Sequence, residues 1–457
     1  MYMKLYIFNI NNFFYRDRDL RWENLIGYAS DNASVMVGKH NSVLSRIREK
    51  QPGVYDLGCL CHVANTCLSY GLKQLPSAVE ELLIDVYYHF LHSSKRKEEY
   101  KEFQQFTDTD AAKILKHCPT RWLSLDRCVR RTLQQWPALR LYFNSHEEAE
   151  KCGSRVYRCA NNLNNEQLLL VFHCLEYILA PLLEFNTTFQ ADAAMIGYLH
   201  QEMSRLLRKF LGKFVTTSAI NSSSQITMVD FKNPNIQHPD DNLAIGMNAR
   251  RFLNDNPDLP QETVNGFFRT VREFYIEVTE KMIKKFPFTD KTLKAIGFVN
   301  PDLRDKVESE SVVQLSTLFC TDQSIDVLQD EYMDYQLSPS TELPTFKYGE
   351  TALEDFWFSL AEYKLPTGSR RFKLLPELAF VVLTLPHSNA ETERCFSTCR
   401  KIQTDSRGNL SNNSVNALLS IKLNTRVECF NVRPSEKLLT MAKKACVSYN
   451  EEKKCGV

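Results

Sequence analysis

A mixed α/β fold that is mostly helical is what these 457 residues predict, on three observations. Two short apolar runs near the front, Leu25 to Ala29 and the first part of Tyr55 to Leu68, each lead into helical spacing, the pattern of a strand passing into a helix. From about residue 75 to 335 apolar positions recur at helical spacing almost without interruption. A further apolar helix, Leu375 to Leu385, and amphipathic helices from Ala390 and from Ser414 to Leu423 then follow.

Taken in order, the first fifteen residues, MYMKLYIFNINNFFY, open abruptly in aromatic sequence, which predicts a chain that starts inside a domain. Leu25 to Ala29 predicts a strand, Ser30-Asp31-Asn32 a turn, and Ala33, Val37, Val43, Leu44 and Ile47 one helix. The segment Tyr55 to Leu68 carries Cys59, Cys61 and His62 across its expected strand-to-helix junction. Glu166 to Phe185 is apolar on most of its surface, hence a buried helix, and Ile196, Leu199, Met203, Leu206, Phe210 and Phe214 stripe the next one. Residues 216 to 242, with three consecutive serines from Ser222, predict a loop, and Asp302 to Asp334 is acidic and poorly periodic. Pro339 and Pro344 mark a boundary, and Ser388 with Glu391 has the spacing of a capping box. The expected domains are 1–75, a mainly helical 76–340, 341–430, and a tail at 431–457.

Composition narrows the function classes. With 43% hydrophobic and 24% charged residues and only 15 Gly and 17 Pro, the chain has the make-up of an ordered globular protein. Lys and Arg total 56 against 55 Asp and Glu, so no whole-molecule field attracts nucleic acid and any DNA contact must be local. Fourteen scattered cysteines without regular spacing or a signal peptide predict a reducing compartment, nucleus or cytoplasm. The run Leu168 to Leu179 is broken by His173 and Glu176 and is shorter than the roughly 20 residues a bilayer needs, so no membrane segment is expected.

Several residues carry chemical potential, each with a plainer alternative. Asp31 caps a helix or binds a metal. Cys59 and His62, with Cys61 and Cys67 nearby, either ligate zinc, which wants four ligands, or are a buried thiol and a satisfied imidazole. Arg121-Trp122 is either a packed indole with a surface guanidinium or a grip for an unstacked base. Arg127, Arg130 and Arg131, and separately Lys95, Arg96 and Lys97, are local phosphate-binding candidates or solvated helix faces. Glu393 lies one turn into a helix, where the dipole favours a carboxylate. Val415, Leu418, Leu419 and Leu423 give the helix from Ser414 an apolar stripe, and Phe356, Trp357 and Phe358 put three aromatics in one exposed-looking segment; both predict a dimerisation surface.

The succession Ser-Asp-Asn-Ala, C-x-x-H, Thr-Arg-Trp, a long helical stretch and PHSNAETERCFSTCRKIQTDSRGNLSNNSVNALLSIKLN (386–424) resembles the hAT (hobo/Ac/Tam3) transposase family over roughly residues 22 to 425. The resemblance implies an RNase H-like core interrupted by an all-α insertion, in which three carboxylates hold two divalent metals. Asp31 matches the second carboxylate and Glu393 the third; Arg121 and Trp122 match the pair associated with a flipped base, and Cys59 and His62 the family's C-x-x-H. The departure is at the front: the only acidic residues before Glu23 are Asp17 and Asp19, in the charged run Arg16 to Arg21, and no Cys or His precedes His40 to form a DNA-reading finger. The resulting expectation is a domesticated, catalytically incomplete homodimer in the nucleus, with no cofactor, weak non-specific DNA contact and nuclear or chromatin proteins as partners. The alternative is an active Mg²⁺-dependent transposase or nuclease.

Overall fold

A computed structural model describes residues 21–117, 123–147, 151–191, 193–319, 324–424, 427 and 429–454. Helix accounts for 66% and strand for 3%. The mostly helical expectation holds, and the strand content among the described residues is one parallel pair, β1 (Gly27–Ser30) and β2 (Tyr55–Gly58), registered Gly27 to Tyr55 through Ser30 to Gly58.

The β1–β2 crossover is where the first expectation needs correcting. Instead of one helix from Ala33 to Ile47 there are two, Ser34–Val37 and Val43–Arg48. Gly38 stops the first, its N–H donating to Ser34 O at 3.0 Å. Ser42 starts the second, because its hydroxyl accepts from Ser45 N while the Ser45 hydroxyl accepts from Ser42 N, a reciprocal cap that satisfies two orphan donors. Val43, Leu44, Ile47 and Val54 then bury a small core against Trp22, Leu25 and Tyr28.

The large core is helix on helix. Leu60–Leu72, which leaves β2 directly, packs along Gln261–Lys285. The approach is close because Gly71 has no side chain: a Cβ there would lie 2.3 Å from Val278 Cγ2 and 2.9 Å from Phe274 Cε2. The stretch expected as one helix from Glu166 is two, Glu166–Ile178 and Ala180–Thr188. Together they are long and apolar enough to cross a membrane by length and composition, yet Leu168, Phe172, Leu175, Ile178, Leu182 and Phe185 are buried inside the protein. Residues 216–242 are largely irregular as expected, with short turns of helix at Thr217–Ser222, Ile226–Met228 and Pro234–Ile236.

The acidic stretch from Asp302, poorly periodic in sequence, contains the helices Ser309–Phe319 and Ile325–Leu337, in keeping with the mainly helical expectation for 76–340. Leu328, Tyr332 and Tyr335 are buried, and the Tyr332 hydroxyl donates towards Arg304 O and Val307 O at 3.0 and 3.1 Å. The acidic side chains stay outward, where Asp334 receives two hydrogen bonds from Arg371 at 2.8 and 2.9 Å.

The chain divides into two compact units, Met1–Asn389 and Ala390–Val457. The first ends with the apolar helix Leu374–Leu383 and the Ser388 hydroxyl, expected to cap the next helix, donating to Phe189 O at 2.7 Å. The second holds the helices Ala390–Ile402 and Asn412–Asn424, which pack on each other, and a third, Glu436–Lys454, where the sequence reading expects only a tail.

Candidate functional site

The carboxyl ends of β1 and β2 bring two of the motifs together. Cys59 N–H donates to Ser30 O at 2.9 Å, so the residue after β2 sits alongside the residue after β1, which is Asp31. The Asn32 side chain lies close over Gly58, where a Cβ would fall 2.1 Å from Asn32 Oδ1. Asp31 is half-buried, and its Oδ1 accepts from Ala33 N at 3.3 Å, one turn before the helix that starts at Ser34. The expectation of a helix opening directly at Asp31 is therefore shifted by two residues, with Ala33 in the capping position.

Cys59 caps the helix Leu60–Leu72 and is 3% exposed. Its thiol is held down to about 4, first by a hydrogen bond from the Cys61 side chain, against the opposing effect of burial, and further by the His62 side chain and the backbone N–H groups of Asn389 and His62. The C-x-x-H spacing thus becomes a physical contact: Cys59 and His62 share a hydrogen bond at a helix N-terminus, where an anionic sulfur is favoured. Cys67, about two turns further along the helix, is the opposite case, pushed up to about 12 by burial. Among the described residues no group of three or more His, Cys, Asp and Glu is arranged to hold a metal. Glu393 stands in the first turn of Ala390–Ile402 with its side chain exposed, in the second unit, whereas Asp31 belongs to the first.

The basic candidates divide by what already holds them. Arg121 and Trp122 lie outside the described residues, as do Asp17 and Asp19. Arg130 Nε donates to both carboxylate oxygens of the buried Asp126 at 3.0 and 3.1 Å, and its Nη1 reaches Glu176 at 3.3 Å. Arg131 Nη1 donates to Lys113 O at 2.7 Å. Arg127 is exposed. In the second patch, Arg96 and Lys97 donate to the carbonyls of His89 and Leu91 at 3.1 and 3.0 Å, closing the end of the helix Ala78–Phe90.

The dimerisation candidates also divide. Phe356 and Trp357 are 2% and 0% exposed, and Trp357 Nε1 donates to Val299 O at 2.8 Å, so the expectation of an exposed aromatic segment is corrected for these two. Only Phe358, at 64%, faces out. Val415, Leu418 and Leu419 are half-buried, while Ile421 and Leu423 are 60% and 46% exposed. Phe396, at 64%, and the exposed Leu438, Leu439, Met441 and Val447 of Glu436–Lys454 were missed by the sequence reading; apolar residues at helical spacing on a strongly charged helix are the signal that finds them.

Residues 347–425 match the hAT family C-terminal dimerisation region. The match takes in Phe356, Trp357, Glu393 and the stripe Val415 to Leu423, so it spans part of the first unit and both packed helices of the second, Ala390–Ile402 and Asn412–Asn424. A region of that kind supports an hAT-family, transposase-derived origin for the chain and a capacity to dimerise.

Proposed function

We propose that this protein works as a self-associating descendant of an hAT transposase, acting through the homodimer it forms and through proteins that the dimer gathers in the nucleus, and that DNA cleavage is not its task. The match at residues 347–425 carries the reading. Support comes from the apolar side chains that the second unit leaves in solvent, Phe396, Ile421 and Leu423 among them, since a soluble chain covers such a surface by pairing. An RNase H-like core with a helical insertion over 76–340 belongs to the same proposal and is supported by the parallel β1–β2 pair with Asp31 just past its carboxyl edge. DNA contact, in this reading, is weak and led by Arg127, because Arg130 is matched by Asp126 and Glu176.

A second reading, a Mg²⁺-dependent transposase, is favoured by one observation: Asp31 lies at the carboxyl ends of parallel strands, where α/β folds collect their reactive groups. Two tests separate the readings. Differently tagged copies of the chain, co-expressed, should co-purify, and Ile421→Asp with Leu423→Asp should abolish the capture; failure of the wild-type pair to co-purify overturns the first reading. Cleavage or joining of DNA in Mg²⁺ that disappears with Glu393→Gln would establish the second, because that change keeps shape and removes the charge a metal needs.

A further inference from the structure

We propose that the helix Glu436–Lys454, which lies beyond the matched dimerisation region, is itself a docking surface for a second copy of this chain, so that the dimer is closed by two such helices. The inference rests on the self-association reading above and extends it to a segment outside the family match.

Four observations converge. Leu438, Met441, Ala442 and Ala445 recur at i, i+3, i+4 and i+7, whereas Thr440, Lys443 and Lys444 fall on the other side of the helix. Every residue from 436 to 448 is nevertheless exposed, with Leu438 at 56%, Leu439 at 46% and Met441 at 59%. A helix of 19 residues whose apolar stripe is exposed among the described residues gains little stability from its own hydrogen bonds, so the stripe calls for a partner. Exposed apolar surface is also concentrated here: of the 25 large hydrophobic side chains exposed among the described residues, ten belong to the second unit, from Phe396 to Val447.

The occupant follows from continuity. Only ten residues, 426–435, separate the matched region from this helix, a tether of at most about 35 Å. Once the matched regions of two copies pair, their two helices meet at an effective concentration far above that of the free chains, which favours each other's stripe over an unrelated partner. In a symmetric pair the same patch faces itself, and residues near the helix midpoint approach their own counterparts. Cys446, exposed and near the middle of Glu436–Lys454, reports that approach.

The test uses the full chain. Wild-type protein treated with a short bis-maleimide should give a covalent dimer that is lost with Cys446→Ser, and Leu438→Asp with Met441→Asp should weaken dimerisation by at least about tenfold while circular dichroism and the main unfolding transition stay unchanged. A wild-type dimer that shows neither the Cys446 cross-link nor any loss with the double variant overturns this proposal and leaves the self-association reading standing. Cross-links from Cys446 that stay within one chain also overturn it, since the helix would then cover its own molecule. A wild-type chain that is monomeric at tens of micromolar defeats both.

Discussion

Cys59 donates its backbone N–H to Ser30 O at 2.9 Å, one rung beyond the last paired residues of β1 and β2. That single bond sets Cys59, the residue before the helix Leu60–Leu72, beside Ser30, so the two front motifs meet at one edge of the sheet.

The Cys59 thiol, held down to about 4 against an ordinary value of about 8.5, makes stability depend on pH. Between those values the unfolded chain binds the proton and the folded one does not, so the stabilising contribution grows as pH rises from about 4, is fully present above about 8.5 and is lost as pH falls through about 4. Cys59→Ser cannot ionise and should flatten the rise in urea midpoint between pH 5 and 8. Parallel pH profiles for the two proteins would show that the thiolate contributes nothing.

Acid should destabilise the protein through its buried histidines. His89, bonded to the Tyr142 hydroxyl at 3.0 Å, is pushed down to about 3 mainly by burial, and His117, His173 and His200 are lowered for the same leading reason. Here too the unfolded state takes up protons that the folded state refuses, from about pH 6.5 down to about 3, so stability falls across that window as pH falls. His89→Gln should make the fall shallower in thermal melts, and an unchanged slope would contradict the assignment.

Trp357 and Phe358 should behave oppositely although they are neighbours within the matched region. Trp357→Ala removes a fully buried indole and leaves Val299 O without its donor, a loss of roughly 3–5 kcal/mol in unfolding free energy. Phe358→Ser, at an exposed position, should cost less than about 0.5 kcal/mol. Chemical denaturation measures both, and equal losses would refute the division between core and surface.

Arg127 and Arg130 should separate DNA contact from folding. Arg130→Ala strands the buried Asp126 carboxylate and should destabilise by roughly 1–3 kcal/mol. Arg127→Ala should leave stability alone and lower the dependence of DNA affinity on salt by about one ion. Tight, sequence-specific binding that barely changes between low and moderate salt would contradict the reading of this surface.

How much of this was legible in the sequence depends on whether the deciding contact is local. The strand, turn and helix around Asp31 and Cys59 can be read because alternation and turn residues occur within a few positions of each other. Gly38 is a visible stop signal, but the apolar spacing of Val37, Val43 and Leu44 runs through it and hides it. The helix Ile325–Leu337 is obscured because two of its core positions are tyrosines among acidic residues, and the carbonyls that receive the Tyr332 hydroxyl, those of Arg304 and Val307, are 28 and 25 residues away. Three consecutive aromatics at 356–358 cannot all face one way on a helix, and it takes contacts such as that of Trp357 with Val299 O, 58 residues away, to show that Phe356 and Trp357 turn inward and Phe358 outward. The Asp31 and Cys59 edge was legible as two separate motifs, whereas their juxtaposition needed the register Ser30 to Gly58.

Self-association is the central claim, and absolute mass is its most direct measurement. Light scattering on the size-exclusion peak of the wild-type chain at tens of micromolar should return twice the 53.0 kDa monomer mass, and Leu418→Asp with Leu419→Asp, in the half-buried part of the matched region, should return the monomer or an unfolded second unit. A well-folded wild-type protein of 53.0 kDa under those conditions would contradict the account.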